Sequence, residues 1–248
     1  MLRYALGGDL IATCQHRWSF KSIEEESTGM PDPVVSSGVV SLGSALSGAV
    51  NIIAGAGNPP TTEAWQTAFE SALPYRDFLE RHGTADQRSR WEAFHARVSL
   101  TEAQKTLLGG FVRRMPVLVL AGTWCGDCVN QCPIFDHFAS ASPTIDLRFL
   151  DRDAHPDIAA HGKVCGGQRV PVAVFLSEDY SPVLFYGDKT LSAYRAAAAS
   201  QFGESCQSGA VPPAAGAIAA VTADWLDQFE RVQLILRLSG RLRQIHGD

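Results

Sequence analysis

The most constraining feature of the chain is a Cys-x-x-Cys motif that directly follows an apolar run. Residues 115–121 are Met-Pro-Val-Leu-Val-Leu-Ala, and residues 124–128 are Trp-Cys-Gly-Asp-Cys. The apolar run predicts a buried strand, and the residues after it predict a helix over 126–140. Cys125 would then lie, partly exposed, at a helix N-terminus, where the helix dipole favours a thiolate, with Cys128 one turn away. The pattern predicts a redox-active pair of thiols with Cys125 as the nucleophile.

Composition and charge restrict the class of protein. The chain of 248 residues is 46% hydrophobic and 19% charged, as expected for a soluble globular protein with a substantial core. A net charge of −5 provides no basic surface for nucleic acid or for an anionic membrane, so neither is expected as a partner. Six cysteines are too few for a disulfide scaffold, and a Cys-x-x-Cys pair is typical of a reducing compartment. We therefore expect a cytoplasmic protein.

The first part of the chain carries weak structural signals. Asp9 interrupts the apolar residues near the start, so no secretory signal is expected. Residues 33–62 carry no charge but are rich in Gly, Ser and Ala, which favours an irregular arm over a membrane-spanning helix. Because Pro59 and Pro60 punctuate the end of this stretch, we assign residues 1–60 to an irregular or disordered extension and residues 61–248 to one domain.

Helical signals begin after residue 60. Apolar residues recur at helical spacing over 61–100, with an interruption at Pro74 and a stop signal at Gly83. Two pairs have the Thr-x-x-Gln spacing of a capping box, which marks the start of a helix. These pairs are Thr84 with Gln87 and Thr101 with Gln104. We therefore assign 61–100 to a helical preface.

The pattern changes around and after the motif, where strands alternate with helices. Residues 101–205 form the predicted core, and 206–248 form a linker followed by an amphipathic helix over 222–238. Further strands are predicted at 145–150, 170–176 and 183–186, and further helices at 156–161 and 191–202. This alternation predicts an α/β protein with a partly parallel sheet.

The segment from about 101 to 202 resembles the thioredoxin superfamily. Four features carry the resemblance: the Trp-Cys-Gly-Asp-Cys motif after a strand, Pro133 where thioredoxins place a proline that kinks the following helix, the Val170–Pro171 pair that opens a strand, and Gly187 near the last strand. The wider segment 63–248 resembles bacterial proteins described only as thioredoxin family proteins. The resemblance implies a thioredoxin-like three-layer α/β/α fold, here with an N-terminal helical preface and an extra C-terminal helix.

The resemblance also implies roles for individual residues. Cys125 would attack a protein disulfide and Cys128 would resolve the adduct, with their own disulfide as the only redox group and no other cofactor or metal. Pro171 would be cis, and the backbone of Val170 would pair with an extended substrate by strand addition. Trp124 would shield the thiols and offer an apolar contact surface. An unidentified reductase or low-molecular-weight thiol would regenerate the pair.

Departures from the family pattern concern the tuning of the thiols. Thioredoxins usually carry a buried Asp at the position of Val119, and a proline at the position of Asp127. We expect like-charge repulsion from Asp127 to disfavour the Cys125 thiolate, which gives a reducing pair of about −270 mV or lower. Gly126 and Arg169 are the other predicted tuning residues, Arg169 through its positive charge.

Several alternatives stay open. Cys132, predicted one turn after Cys128 on the same helix, is a buried packing residue or a back-up disulfide partner of Cys128. Cys165 is incidental or a third redox thiol, and Cys14 and Cys206 receive no role. The protein as a whole is a thiol–disulfide oxidoreductase, a non-catalytic thioredoxin-like binding module, or a metal-binding protein that uses Cys125, Cys128 and Cys132.

Overall fold

The computed structural model describes residues 59–202 and 216–248. Nearly all of the predicted 1–60 extension, most of the predicted linker, Cys14 and Cys206 lie outside the described residues. The described helices are α1 (Thr62–Ser71), α2 (Tyr75–His82), α3 (Ala85–His95), α4 (Glu102–Gly109), α5 (Gly126–Val129), α6 (Cys132–Ala141), α7 (Pro156–Ala159), α8 (Leu191–Phe202), α9 (Ala217–Leu238) and α10 (Gly240–His246). The described strands are β1 (Met115–Ala121), β2 (Ile145–Asp151), β3 (Val172–Leu176) and β4 (Pro182–Gly187).

The helical preface forms as its local signals predict. Pro74 separates α1 from α2, and Gly83 ends α2. Both predicted capping boxes are present, one at the start of α3 and one at the start of α4, each with reciprocal side-chain and backbone hydrogen bonds. Leu73, between α1 and α2, exchanges two backbone hydrogen bonds with Phe149 of β2, of 2.9 and 2.7 Å. The preface is therefore tied to the sheet through backbone pairing as well as through side-chain packing.

A four-stranded mixed sheet in the order β2-β1-β3-β4 forms the centre of the fold. The β1 and β2 strands are parallel, and β3 is antiparallel to both β1 and β4. Leu120 pairs with Val172, and Val172 pairs with Gly187. The end of β1, the start of β3 and the end of β4 consequently meet at one end of the sheet, which we call the site end.

Helices cover both faces of the sheet, which confirms the predicted three-layer α/β/α arrangement. On one face, Phe175 and Tyr186 pack edge to face against Phe229 and Trp225 of α9, at ring-centroid distances of 5.0 and 4.9 Å. On the other face, Phe185 packs against Trp65 of α1 at 5.5 Å. The apolar side of α9 is therefore part of the domain's own core, as its sequence pattern predicts.

The helix after the Cys-x-x-Cys motif differs from the prediction. The single helix predicted over 126–140 is wrong, because α5 ends at Val129 and α6 begins at Cys132. Pro133, the second residue of α6, lacks an amide hydrogen, and its ring would clash with the carbonyl of Val129 in a continuous helix. Cys132 therefore begins a new helix instead of continuing that of Cys128.

The C-terminal part contains one helix more than predicted. The α9 helix begins at Ala217, five residues before the predicted start, and α10 follows after Ser239, whose side chain caps it. Backbone and side-chain hydrogen bonds from Ser192 to Asp224 tie α8 to α9, at 2.7 and 2.6 Å. None of the helices in the described ranges is both long and apolar enough to span a membrane.

Candidate active site

The two predicted catalytic cysteines and the Val170–Pro171 pair come together at the site end of the sheet. Cys125 and Cys128 follow β1, whereas Pro171 immediately precedes β3, which runs antiparallel to β1. The Val170–Pro171 peptide bond is cis, as predicted. The meeting of these residues follows from strand direction, because the end of one strand and the start of its antiparallel neighbour lie side by side.

The thiol of Cys125 has two hydrogen-bonding neighbours. Cys125 is the N-cap residue of α5, and its Sγ accepts a hydrogen bond from the amide of Cys128 at 3.4 Å. The same thiol donates to the carbonyl oxygen of Val170, also at 3.4 Å. Cys125 is only 8% exposed, so the prediction of a partly exposed thiol is wrong. The sulfur lies against the cis peptide.

The pKa of the Cys125 thiol is raised above its ordinary value. Hydrogen bonding with the Cys128 thiol is the largest cause, followed by burial, whereas the backbone amides of Cys128 and Asp127 lower it. The expected cause, repulsion by the Asp127 carboxylate, is wrong, since that carboxylate forms an ion pair with Lys189. The thiolate is therefore disfavoured as expected, but by burial and by its partner thiol.

Cys128 and Cys132 lie deeper than Cys125. Both are fully buried. Burial is the largest cause that raises the pKa of Cys128, while hydrogen bonding with Cys125 lowers it and hydrogen bonding with Cys132 raises it. Val119, at the position where relatives carry a buried Asp, is also fully buried. Cys128 and Cys132 thus belong to the buried core beside the site.

Trp124 forms an exposed aromatic surface beside the thiols. It is 47% exposed, and the guanidinium of Arg152 lies over its ring, 4.6 Å from the centroid. The indole packs directly on Gly122, where a Cβ atom would lie 2.7 Å from a ring atom. Arg152 also donates to the carbonyl of Gln168 at 2.9 Å, which joins the loop before Val170 to the same surface.

The preface helices hold the backbone that leads into the motif. The indole nitrogen of Trp91 in α3 donates to the carbonyl of Thr123 at 3.0 Å. The Thr123 hydroxyl donates to the carbonyl of His82 at 3.1 Å, and Thr123 itself is buried. No sequence motif indicates this hydrogen bond, because it joins residues far apart in the chain.

Asp188 organises the loop after β4. It is buried, and its carboxylate accepts hydrogen bonds from the Tyr194 hydroxyl and from Arg169, the latter at 3.2 Å. Burial raises the pKa of Asp188, but these hydrogen bonds hold that pKa below its ordinary value. Arg169, predicted to tune the thiols, is exposed and pairs with this carboxylate. Its positive charge is thus partly neutralised at Asp188.

Gln131, in the break between α5 and α6, connects three other segments of the chain. Its side-chain nitrogen donates to the carbonyls of Asp188 and Asp127, at 2.9 and 3.3 Å. Its side-chain oxygen accepts from the indole nitrogen of Trp225 at 2.8 Å. The loop after β4, the α5 helix and the C-terminal helix α9 therefore meet at one buried amide, which sequence reasoning missed.

The last strand approaches the cis peptide closely at Gly187. A Cβ atom at this position would lie 2.3 Å from the carbonyl oxygen of Pro171, so only glycine fits. By contrast, a Cβ atom at Gly126, the predicted tuning residue between the cysteines, would meet nothing within 4 Å. Gly187 is thus required for the packing of β4 against the site, while Gly126 leaves open space above α5.

The remaining cysteine of the described part and the metal alternative can also be placed. Cys165 is an exposed free thiol in the turn that joins Val164 to Gly167. Across residues 59–202 and 216–248, no three Cys, His, Asp or Glu side chains are grouped so that they could hold a metal ion. The metal-binding alternative, which relied on Cys125, Cys128 and Cys132, therefore gains no support from their arrangement.

Comparisons with known proteins give one family and several distant structures. The family described as Thioredoxin matches residues 73–196, which is half of the chain. No curated protein matches at a significant level. Among solved structures, a protein of unknown function from Pseudomonas aeruginosa is 19% identical with a TM-score of 0.49, covering 72% of this chain and 97% of that chain.

Two further structures are more distant or engineered. An HIV epitope-scaffold is 19% identical with a TM-score of 0.45, covering 74% of this chain and 98% of that chain. An alkylhydroperoxide reductase component from Enterococcus faecalis is 13% identical with a TM-score of 0.33, covering 44% of this chain and 51% of that chain.

Proposed function

The chain belongs to the thioredoxin family, and we propose that it is a thiol–disulfide oxidoreductase that reduces protein disulfides through Cys125 and Cys128. One observation carries the proposal. The sulfur of Cys125 lies within hydrogen-bonding distance of both the Cys128 amide and the Val170 carbonyl, at 3.4 Å each. A nucleophilic sulfur, a donor that stabilises its thiolate and a backbone on which a substrate can align are therefore assembled at one point.

The reaction proceeds by two exchanges. The Cys125 thiolate attacks one sulfur of the substrate disulfide, which forms a mixed disulfide and releases the other substrate sulfur as a thiolate that takes up a proton. The Cys128 sulfur, after losing its proton, then attacks Cys125 and releases the second substrate thiolate. The substrate gains two electrons and two protons, and the protein is left with a Cys125–Cys128 disulfide. A reductase or a low-molecular-weight thiol returns it to the dithiol.

The raised pKa of Cys125 supports a reducing rather than an oxidising role. When the reduced form of a cysteine pair is stabilised as a thiolate, oxidising that pair costs more free energy. Its disulfide then takes up electrons readily and acts as a strong oxidant. Here burial and the partner thiol disfavour the thiolate, and Lys189 pairs with Asp127 instead of facing the sulfur. This environment supports electron flow from the protein to the substrate, in a reducing compartment such as the cytoplasm.

The surface around Cys125 supports a protein substrate. Trp124 provides an exposed aromatic ring next to the sulfur, with Arg152 above it. An extended substrate segment can lie on this ring and pair with the backbone at Val170, which is the strand-addition mode of peptide recognition. Such a surface contacts a polypeptide on both sides of its disulfide, rather than enclosing a small molecule.

The test is the reduction of insulin by dithiothreitol, followed as turbidity, with the full chain as catalyst. The wild type is expected to accelerate the reaction, and Cys125→Ser is expected to lose at least about a hundredfold of that acceleration. Cys165→Ser, which removes an exposed thiol outside the pair, is the matched control and is expected to keep it. Equal activity of Cys125→Ser and wild type contradicts the proposal, and an inactive wild type favours the non-catalytic binding module.

A further inference from the structure

We infer that Gln131 and Trp225 are positioning residues for Cys125, because they begin a chain of hydrogen bonds that ends at its sulfur and stabilises its thiolate. We call this series of bonds the donor chain. The inference rests on the proposed function, in which Cys125 is the nucleophile. It assigns a part in the reaction to two residues outside the Cys-x-x-Cys motif, one of them in the C-terminal helix α9.

The donor chain consists of three hydrogen bonds that run in the same direction. The indole of Trp225 donates to the side-chain oxygen of Gln131 at 2.8 Å, and the side-chain nitrogen of Gln131 donates to the carbonyl of Asp127 at 3.3 Å. The amide of Cys128, which belongs to the same peptide unit as that carbonyl, donates to the Cys125 sulfur at 3.4 Å. Because the carbonyl and the amide of a trans peptide point in opposite directions, Gln131 on one side of this peptide fixes the direction of the amide on the other side.

The break between α5 and α6 makes the Asp127 carbonyl available to the donor chain. In a continuous helix this carbonyl would accept from the backbone amide of Gln131, four residues further on. That amide instead donates to the carbonyl of Cys128 at 3.2 Å, and the side chain of Gln131 takes its place at Asp127. Since α5 has only four residues, its conformation depends on such contacts more than that of a longer helix does.

The partners of the Gln131 side chain fix its orientation. Its nitrogen donates to the carbonyl of Asp188, at 2.9 Å, as well as to that of Asp127, while its oxygen accepts from Trp225. A carbonyl can only accept and an indole can only donate, so a reversed amide would lose all three bonds. Gln131 is 3% exposed and Trp225 is fully buried, so these bonds are shielded from water.

A chain of hydrogen bonds strengthens its last donor. Each bond polarises the next, so an amide whose own peptide carbonyl accepts a hydrogen bond becomes a better donor. Hydrogen bonding with the Cys128 thiol and burial raise the pKa of Cys125, whereas the backbone amide of Cys128 lowers it. The donor chain therefore acts on a contact that favours the reactive form of the sulfur.

The alkylation rate of Cys125 in the full chain tests the inference. The reduced, folded protein is treated with iodoacetamide between pH 7 and 9, and modification of Cys125 is followed by fragmentation of the tryptic peptide 115–148 in a mass spectrometer. Gln131→Leu removes the donor to Asp127 and is expected to lower the rate about fivefold at each pH. A merely structural role predicts the opposite sign, because loosening would expose a sulfur that is only 8% exposed and would speed its alkylation.

Gln233→Leu is the matched control for the loss of a buried glutamine. Gln233 is also 3% exposed and also makes three hydrogen bonds, with backbone groups at the opposite end of the sheet. The alkylation rate of Cys125 in this variant should stay within about 1.5-fold of wild type. A decrease as large as that of Gln131→Leu would make the effect a general one and would overturn the inference.

Trp225→Phe removes the first donor of the chain and keeps an aromatic ring against Phe135. It is expected to lower the rate about twofold, and it decides the test if circular dichroism shows that Gln131→Leu does not fold. An unchanged or faster rate in either folded variant overturns the inference. If the wild type reduces insulin and Gln131→Leu is alkylated at the wild-type rate, this inference fails while the proposed function stands. If the wild type is inactive with insulin but alkylation slows as expected, the proposed function alone fails.

Discussion

The two ends of the sheet differ in how they use polar groups. At the site end, the hydrogen bonds made by the Cys125 thiol are sulfur contacts of 3.4 Å. At the opposite end, where β1 begins, the side-chain oxygen of Gln233 accepts from the amides of Val112 and Arg113, at 3.2 and 2.8 Å, and its nitrogen donates to the Arg113 carbonyl at 3.0 Å. This far end is fixed by short amide hydrogen bonds, whereas the site end holds sulfur atoms whose partners can change during a reaction.

The buried arginine at the far end reinforces the difference. Arg113 is buried and pairs with Glu178, at 3.4 Å, and with the carboxylate of Asp248. These contacts join the start of β1, the end of β3 and the C-terminus. At the site end the corresponding ion pair, Asp127 with Lys189, is partly exposed. The far end is thus held by a buried charge and amide contacts, whereas the site end combines such contacts with sulfur atoms and a partly exposed ion pair. The following predictions test this difference in order of decreasing effect.

The largest effect is expected for Gly187→Ala, which fills the close approach at the site end. The new Cβ atom would meet the Pro171 carbonyl oxygen at 2.3 Å, so β4 must move away from the cis peptide. We expect a loss of about 3 kcal/mol or more in the free energy of unfolding, measured in urea, together with lower insulin reduction. Gly109→Ala is the control, because a Cβ atom there meets nothing within 4 Å, and its stability should change little. Equal stability of the two variants would refute the close approach.

A somewhat smaller effect is expected at the far end for Gln233→Leu. This change leaves the backbone groups of Val112 and Arg113 without their side-chain partner, which costs about 2 kcal/mol of unfolding free energy. Because the site end is not touched, the rate of insulin reduction by the folded protein should stay within about twofold of wild type. Gln228→Leu, half-buried on the same helix, is the matched control. A catalytic defect without a stability loss would show that the two ends are not separable.

The pH dependence of Cys125 alkylation should be steep and without a plateau near neutrality. Its raised pKa means that the thiolate is a minor species at pH 7 and that its fraction increases as pH rises. We expect the iodoacetamide rate at Cys125 to increase about tenfold per unit from pH 7 to 9, equivalent to about 1.4 kcal/mol per unit. Free glutathione is the control, since an ordinary thiol begins to level off near pH 8.5. A rate that is already level at pH 7 would contradict a raised pKa.

The smallest effects are expected for the exposed ion pair beside the motif. Asp127→Asn leaves the Lys189 charge near Cys125, which favours the thiolate and raises the reduction potential. Lys189→Met leaves the Asp127 charge and lowers the potential. Because the pair is partly exposed, each shift should be under about 30 mV in a glutathione equilibrium. Shifts of the same sign in both variants would rule out a simple charge effect.

Local signals in the sequence were the most reliable guide to this fold. Both capping boxes form as their Thr-x-x-Gln spacing predicts, because the hydrogen bonds join residues only three positions apart. The cis peptide at Pro171 followed from the resemblance to the family rather than from local chemistry. The helix over 126–140 was expected to be kinked at Pro133, whereas Pro133 divides it into two helices, since its effect on the preceding turn outweighs the helical pattern.

Contacts between residues far apart in the chain could not be predicted from the sequence. The ion pair of Asp127 with Lys189 joins residues 62 positions apart, and the bond of Trp225 to Gln131 joins residues 94 positions apart. No periodicity or motif links such residues, because the sheet topology alone brings them together. As a result, the shift in the pKa of Cys125 was attributed to the wrong cause, the Asp127 charge, although the predicted direction of the shift was right.

The hydrogen bond between Trp225 and Gln131 has a consequence for any shortened version of this gene. The family match ends at residue 196, yet the indole of Trp225 lies on Phe135, at 4.5 Å between ring centroids, and holds the amide between α5 and α6. A premature stop codon after Phe202 would remove the aromatic rings that pack on Phe135 and Phe175. The Gln131 amide would also lose its hydrogen bond from Trp225. Its product would be a substrate for cellular proteases rather than a smaller folded domain.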